Sequence, residues 1–191
     1  MEEMITNSEG EILDYTFHDP GNPSRDILII GHGVTGNKDR PLVVTLAEAV
    51  SNEGMAVLRF SFSGNGSSGG DFRDCTISKE VGDLKAVVTA AVKKGYRVTY
   101  AGHSMGGAVG VLAAFSDDRI KHLISLAGMV HTMDFYKREF GEEKPDEGCM
   151  WEEPSYPLSS TYRNDMYEIA SVASKASEIK IPWLLIHGDA D

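Results

Sequence analysis

Cysteine is almost absent from this sequence, which argues against two ways of stabilising a small protein. The 191 residues include only Cys75 and Cys149, and neither belongs to a C-x-x-C pair or stands at metal-ligand spacing from a histidine. Such isolated thiols indicate neither a disulfide framework nor a zinc site, so we interpret both as structural or incidental.

Basic residues and long apolar runs are also scarce. Lysine and arginine number 18 against 29 aspartates and glutamates, a formal net charge of −11 that disfavours nucleic acid and anionic membranes as partners. The first residues, MEEMITNSEGEIL, have neither the basic start nor the apolar core of a secretory signal, and no run approaches a membrane span. We therefore expect a cytoplasmic protein that binds no nucleic acid and no membrane. The composition carries no signal for an oligomeric state.

Segments of two kinds alternate along most of the chain. Short apolar runs such as DILIIGHG, stopped by glycines, indicate strands buried on both faces, whereas PLVVTLAEAVSNEG begins with a proline suited to a first helical turn. Strands are predicted over 26–33, 55–62, 96–102 and 120–128, and helices over 41–54, 76–94 and 105–115. This order predicts one α/β domain over 1–191, with a mostly parallel, doubly wound sheet covered by helices.

The alternation stops after Gly128. Residues 129–162 combine methionine, aromatic and acidic residues with three prolines and show no sustained period, which favours an insertion. Its aromatic side chains, Trp151 among them, suit a lid or cap over an apolar ligand; a small subdomain with hydrophobic contacts of its own is an equally open interpretation. A helix over 163–178 and a last strand within 179–191 are predicted after it.

The segment AGHSMGGAVG, residues 101–110, contains a serine between glycines where a predicted strand meets a predicted helix. In a G-x-S-x-G turn, Gly102 and Gly106 remove side chains that would collide, and the serine hydroxyl stands clear of the sheet. Free amides at the start of the helix would stabilise an oxyanion that develops beside Ser104. The pattern predicts a nucleophile at Ser104, although a serine that only caps the helix would have the same spacing.

A second glycine-containing turn, HGVTGN at 32–37, follows the first predicted core strand. Glycine in this turn would let a backbone amide approach a reacting carbonyl closely, and a nucleophile-elbow fold places its other oxyanion donor at this point of the chain. An ordinary turn between a strand and a helix is the alternative. Because the turn precedes a G-x-S-x-G motif by about seventy residues, the two motifs together favour the functional interpretation.

The segments IIGHGVTGN, RFSFSGNGSSGGDF, YAGHSMGG and IPWLLIHGDAD stand in the order and spacing of the α/β-hydrolases, which the chain resembles over nearly its whole length. The resemblance implies that Ser104 is the nucleophile and that the amides of Val34 and Met105 form the oxyanion hole. It implies that the acid of the triad is Asp191, or else Asp189, in HGDAD, and that no metal or organic cofactor takes part. His32, Gly33, His103 and Trp151 complete the expected site as residues that surround the substrate.

The sequence departs from the family's pattern after its acid. In that family the triad runs serine, aspartate, histidine, and the histidine follows one more strand, whereas no residue follows Asp191 here. Since serine without an imidazole is a poor nucleophile, we expect the complete protein to continue with a strand, a histidine and a helix. The alternative is that His131, which opens the insertion, serves as the base.

Two motifs bear on the substrate. GVTGN and GGDFRDCTI are most similar to the bacterial cinnamoyl and feruloyl esterases, whose short lids bind phenolic esters, whereas GHSMGG is equally typical of monoacylglycerol lipases and related serine hydrolases such as serine aminopeptidases. The resemblance therefore implies a hydrolase of small-molecule carboxylic esters that works through an acyl-enzyme. A member of this fold that binds a ligand without turnover is the competing hypothesis.

Overall fold

A six-stranded sheet forms the centre of the protein. The structure, a computed structural model, describes residues 3–21 and 25–189. The strands are β1 (Ile5–Thr6), β2 (Ile12–Leu13), β3 (Tyr15–His18), β4 (Asp26–Gly31), β5 (Ala56–Phe60), β6 (Arg97–His103), β7 (Ile120–Leu126) and β8 (Trp183–Ile186). The helices are α1 (Pro41–Asn52), α2 (Ile77–Lys93), α3 (Met105–Ser116), α4 (Thr132–Phe140), α5 (Ser160–Ile169) and α6 (Ala173–Ala176).

The sheet has the order β3-β5-β4-β6-β7-β8, and its pairs are parallel from β5 to β8. Strand β3 pairs antiparallel with β5, while β1 and β2 form a small antiparallel pair of their own. The predicted α/β fold with a mostly parallel sheet is confirmed. The three N-terminal strands carry little apolar periodicity, which is why the sequence did not predict them.

The central strand β4 shows why the sheet needs helices on both faces. Ile27 and Ile29 point into the larger core, which α2 and α3 cover, whereas Leu28 and Ile30 point into a smaller core beneath α1. All four side chains are almost completely buried. An unbroken apolar run is what a strand in this position requires, because its side chains alternate between two covered faces.

Helix α2 begins where the sequence predicts it to begin. The Thr76 side chain accepts a hydrogen bond from the Lys79 amide at 3.0 Å, so threonine caps the helix. Leu84 and Val88 are buried in the core and Val81 packs against it, whereas Val92 is exposed. The buried face of α2 also carries two acids, Glu80 and Asp83.

The segment after β7 is more regular than the sequence indicated. Within the insertion predicted at 129–162, nine residues form α4, and α5 begins at Ser160, where the Ser159 hydroxyl accepts a hydrogen bond from the Tyr162 amide. The single helix predicted over 163–178 is wrong. The chain leaves α5 at Ala170, whose φ of 53° is incompatible with a continuing helix, and only the short α6 follows.

Strands β4, β6, β7 and β8 all end at the same edge of the sheet. Each is shorter than or shifted from its predicted range by a few residues, and the residues left over, including His32 and Gly33, form the loops at that edge. None of the helices in residues 3–21 and 25–189 combines the length and apolarity needed to cross a membrane. The parallel arrangement therefore collects the loops after four strands in one place, where the candidate site lies.

Candidate active site

Ser104 lies at a sharp turn between β6 and α3. Its backbone has φ 52° and ψ −117°, a conformation that costs a residue other than glycine about 1–3 kcal/mol. The Ser104 amide donates to the Leu126 carbonyl at 3.0 Å, and its own carbonyl accepts from the amides of Gly107 and Met129, both at 2.9 Å. Hydrogen bonds from three segments of the chain thus hold the strained serine in place.

Three glycines make the turn possible. A Cβ at Gly102 would collide with the Gly106 carbonyl, and a Cβ at Gly106 would lie 2.6 Å from the carbonyl oxygen of His32. A Cβ at Gly33 would lie 3.0 Å from the Cβ of Ser104. The glycines of the G-x-S-x-G motif therefore meet a steric requirement of the turn, and Gly33 meets the same requirement from the neighbouring loop.

The His32 imidazole is a structural support. Its Nδ1 lies 2.9 Å from the Gly33 carbonyl, and its Nε2 accepts a hydrogen bond from the Phe62 amide at 3.1 Å. The tautomer that satisfies both contacts carries its proton on Nδ1. Burial lowers the pKa of His32 to about 4, so the ring is neutral at physiological pH. It ties the loop after β4 to the end of β5, with both ring nitrogens engaged by the backbone.

The HGVTGN loop is held in one conformation by its own hydrogen bonds. The Gly36 amide donates to the Gly33 carbonyl at 3.0 Å, and the Arg40 guanidinium donates to the Thr35 carbonyl, also at 3.0 Å. Thr35 itself has a positive φ of 53°. The loop therefore has a defined shape before any ligand binds.

The two amides expected to form an oxyanion hole border Ser104. Met105 is the first residue of α3, where helix geometry leaves the amide without an acceptor in its own helix. Val34 follows Gly33, and within residues 3–21 and 25–189 its amide donates to no acceptor. Both donors are thus available next to the serine, one from each loop.

Two cavities meet at Ser104. The first, of about 390 Å³, is mostly apolar and is lined by His32, Gly33, Val34, Gly36, Arg40, Pro41, Leu42, Val43, His103, Ser104, Phe135 and Trp151. The second, of about 560 Å³, mixes polar and apolar groups and is lined by His103, Ser104, Ala127, Gly128, Met129, Val130, His131, Asp134, Phe135, Arg138 and His187. We call them the apolar cavity and the polar cavity. Ser104, His103 and Phe135 belong to both, so the serine is reached from two sides.

Five of the predicted site residues, His32, Gly33, Val34, His103 and Trp151, therefore line the apolar cavity together with Ser104. The sequence predicts a helix at Pro41 and Leu42 but gives no sign that they line a cavity. It gives no functional role to Arg138. Nothing in a helical start such as PLVV indicates a cavity wall. Only the position of α1 beside the loop after β4 brings these side chains to the site.

Three imidazoles share the polar cavity with the serine. They belong to His103, His131 and His187, which line this cavity together with Ser104. Burial lowers the pKa of His103. The predicted acid Asp191 lies outside the described residues, whereas its alternative, Asp189, is exposed just beyond the end of β8.

Two acids on α2, Glu80 and Asp83, are buried, and Asp83 contacts the glycine-rich loop after β5. The Asp83 carboxylate accepts hydrogen bonds from the Ser63 amide at 2.8 Å, the Ser63 hydroxyl at 2.7 Å and the Asn7 side chain at 2.8 Å. Neither carboxyl oxygen of Glu80 has a partner in the described part of the chain. Burial, with Asp83 and Asp165 nearby, raises the pKa of Glu80 well above its usual value.

Comparison with known proteins places the chain among hydrolases. It matches the family model described as serine aminopeptidase, S33, over residues 22–140, more than half of its length. An uncharacterized 31.7 kDa protein of the traX-finO intergenic region of Escherichia coli is 31% identical over 123 residues, which cover 62% of this chain. The matched region covers 42% of that relative, so the chain spans less than half of its length.

Solved structures show the same fold. Est1E from Butyrivibrio proteoclasticus with bound ferulic acid has a TM-score of 0.85 and 30% identity, covering 99% of this chain and 79% of its own. A second structure of Est1E has a TM-score of 0.78 and 28% identity, covering 97% and 77%. A protein described as a hydrolase from Agrobacterium vitis S4, with a TM-score of 0.72, 19% identity and coverage of 97% and 89%, supports the fold alone.

Proposed function

Because the chain belongs to the α/β-hydrolases, in the family described as serine aminopeptidase, S33, we propose that it hydrolyses carboxylic esters with Ser104 as nucleophile. The observation that carries the proposal is the backbone of Ser104, held at φ 52° and ψ −117° where two cavities meet. Strain of this kind is kept where the surrounding structure enforces it and a function uses it. Here it presents the serine side chain to both cavities.

The chemistry follows from the groups around the serine. Ser104 Oγ forms a bond to the ester carbonyl carbon, and the amides of Val34 and Met105 stabilise the negative charge on the carbonyl oxygen. Collapse of this intermediate breaks the bond to the alcohol oxygen, and the alcohol leaves with the proton taken from the serine. Water then attacks the acyl-enzyme, releases the carboxylic acid and returns a proton to Ser104.

A histidine carries that proton, and the carboxylate of Asp191 orients the histidine, as in the rest of the family. His131 and His187 line the polar cavity with Ser104 and can be tested directly. His32 has a different task. Its neutral ring fixes the loop that carries the Val34 amide, so it acts on the reaction only through that loop.

The substrate class that suits the site is an ester with an aromatic acyl group. The apolar cavity is large enough for a phenolic ring, and Phe135, Trp151 and Leu42 line it. The likeness to Est1E with bound ferulic acid supports the same class. The polar cavity, which Arg138 and Asp134 line, suits the alcohol part of the ester.

The nucleophile is tested with two serines at opposite ends of α3. We expect Ser104→Ala to lower hydrolysis of 4-nitrophenyl acetate by about 10³-fold or more and to abolish labelling by a fluorophosphonate probe. The matched control is Ser116→Ala, because Ser116 ends the same helix with its hydroxyl bound to the Leu112 carbonyl at 2.9 Å. Labelling at a residue other than Ser104 would contradict the proposal.

The substrate class is tested with a panel of esters. We expect Trp151→Ala to change the rate of methyl ferulate hydrolysis more than that of 4-nitrophenyl acetate, since only the larger acyl group extends along the apolar cavity. Equal changes for both substrates would leave residues 129–162 with a structural role only.

A second candidate, an aminopeptidase, is favoured by the description of the matching family. Amino-acyl 4-nitroanilides separate the two activities, because a peptidase cleaves the anilide and an esterase prefers methyl ferulate. A monoacylglycerol lipase would instead prefer a monoacylglycerol with a long acyl chain. A non-catalytic receptor would bind such ligands and show no hydrolysis that depends on Ser104.

A further inference from the structure

Glu139 joins two side chains that form walls of the site. It lies on α4, where its carboxylate accepts a hydrogen bond from the Trp151 indole nitrogen at 3.1 Å and another from Arg138 Nε at 2.8 Å. These two bonds, with that of Arg138 the stronger influence, lower the pKa of Glu139 below its usual value. The carboxylate is therefore ionised across the neutral pH range and accepts both bonds there.

Trp151 needs such a partner to keep one position. The residue is 48% exposed, and its backbone has φ 50° and ψ 39°, the left-handed region that tryptophan seldom adopts. Exposed side chains in strained loops have little burial to fix them. Among residues 3–21 and 25–189, the indole packs against the Phe140 ring, 4.9 Å away between centres, and its hydrogen bond goes to Glu139.

The contacts close into a ring of five side chains. Arg138 lies 5.5 Å over the Phe135 ring, Phe135 lies 6.1 Å from Phe140, and Phe140 contacts Trp151. Glu139 completes the circuit between Trp151 and Arg138. Because each member touches two others, a displacement of one wall is resisted by the rest.

This ring connects the two cavities. Trp151 lines the apolar cavity, Arg138 lines the polar cavity, and Phe135 lines both. Glu139 belongs to neither lining. It is placed to act on a substrate only through the side chains that it holds.

We propose that Glu139 is a positioning residue that sets selectivity for bulky esters by fixing Trp151 and Arg138 on either side of Phe135. The inference rests on the proposed esterase function, which it deepens. When the carboxylate is removed, the indole and the guanidinium move independently, and a large substrate loses a preformed cavity wall. A small ester such as 4-nitrophenyl acetate contacts less of that wall.

The position of Trp151 is tested first, without catalysis. In a Trp183→Phe background, Trp151 is the only tryptophan, so acrylamide quenching of its fluorescence reports the freedom of this one indole. We expect Glu139→Ala to raise the quenching constant and Glu139→Gln to raise it less, because the amide oxygen still accepts from the indole. The control, Glu142→Gln, removes an exposed lid carboxylate that lines neither cavity. Equal quenching in all variants overturns the proposal.

Selectivity is tested with the same variants. We expect the ratio of kcat/KM for methyl ferulate to kcat/KM for 4-nitrophenyl acetate to fall about threefold to tenfold in Glu139→Ala, the effect of losing one fixing hydrogen bond. The ratio for Glu139→Gln should lie between the ratios for the wild type and Glu139→Ala. An unchanged ratio overturns the proposal even when quenching rises. If the proposed esterase function itself fails, the hydrolysis will not depend on Ser104. That result is distinct from an unchanged selectivity ratio in the Glu139 variants.

Discussion

Gly33 and Ser104 touch across two loops, so that a Cβ added to Gly33 would lie 3.0 Å from the Cβ of the serine and 3.3 Å from His103 Nδ1. The backbone of Gly33 has no positive φ that would itself demand glycine. Glycine is therefore needed at position 33 because Ser104 lies so close, and not because the local backbone conformation demands it.

We expect Gly33→Ala to lower kcat about tenfold or more, because a displacement of a few tenths of an ångström moves Ser104 relative to the oxyanion donors. The matched control is Gly82→Ala in α2, where a Cβ would meet nothing within 4 Å. That change should stabilise the protein by about 0.5–1 kcal/mol and leave kcat unchanged. Kinetics with 4-nitrophenyl acetate and urea unfolding measure the two effects; equal kcat in Gly33→Ala and wild type would contradict the argument.

Ser104→Gly should raise the free energy of unfolding by about 1 kcal/mol or more, since glycine adopts φ 52° and ψ −117° without strain. Ser104→Ala keeps the Cβ and should stay close to the wild type in stability. Both variants lack the hydroxyl and should lack hydrolysis. If urea unfolding gives the two variants the same stability, the turn at Ser104 stores no strain.

His32 should make stability depend on pH in the acidic range. Its pKa is about 4 in the folded protein and 6.5 in a model peptide, so the unfolded chain binds the proton more tightly. The stabilisation is complete above pH 6.5 and is lost as the pH falls toward 4, by about 3 kcal/mol in all. We expect the difference in unfolding free energy between wild type and His32→Asn to shrink by this amount over that range. A constant difference would show that the ring is not held neutral.

The buried Glu80 carboxyl should make stability fall as the pH rises, which is the opposite of the effect of His32. Its pKa is raised, so the folded protein keeps a proton that the unfolded chain releases as the pH rises above about 4.5. Stability from the neutral carboxyl is therefore present below that pH and is lost as the pH rises. We expect Glu80→Gln to be more stable than wild type at pH 7 by more than the ~0.5 kcal/mol of a surface change, with little difference at pH 4. Glu48→Gln on the exposed side of α1 is the control, and parallel pH profiles for Glu80→Gln and wild type would refute the prediction.

The general base is tested by His131→Ala and His187→Ala. We expect neither change to lower Ser104-dependent hydrolysis appreciably, because the family places its base after the acid of the triad. A loss of about 10²-fold or more in either variant would identify that residue as the base.

Local motifs predicted much of the site because short stretches of chain decide their own geometry. The turn at Ser104 needs Gly102 and Gly106 wherever it occurs, and the helix that follows leaves its first amides free. An apolar run such as Ile27 to Ile30 requires two covered faces. These properties depend on neighbours within a few residues and are therefore visible in the sequence.

Contacts between distant residues were decided only by the tertiary structure. His32 accepts a hydrogen bond from the Phe62 amide, thirty residues away. Asp83 accepts hydrogen bonds from Ser63 and Asn7. These polar residues are buried because partners from distant parts of the chain satisfy them. Glu139 faces Trp151 only because α4 folds against the loop that follows it. The sequence by itself thus determined the fold class, the serine turn and the glycines that permit it. The two cavities and the ring of side chains between them depended on how separate elements pack, because their energies arise from residues that are close in space and far apart in the chain.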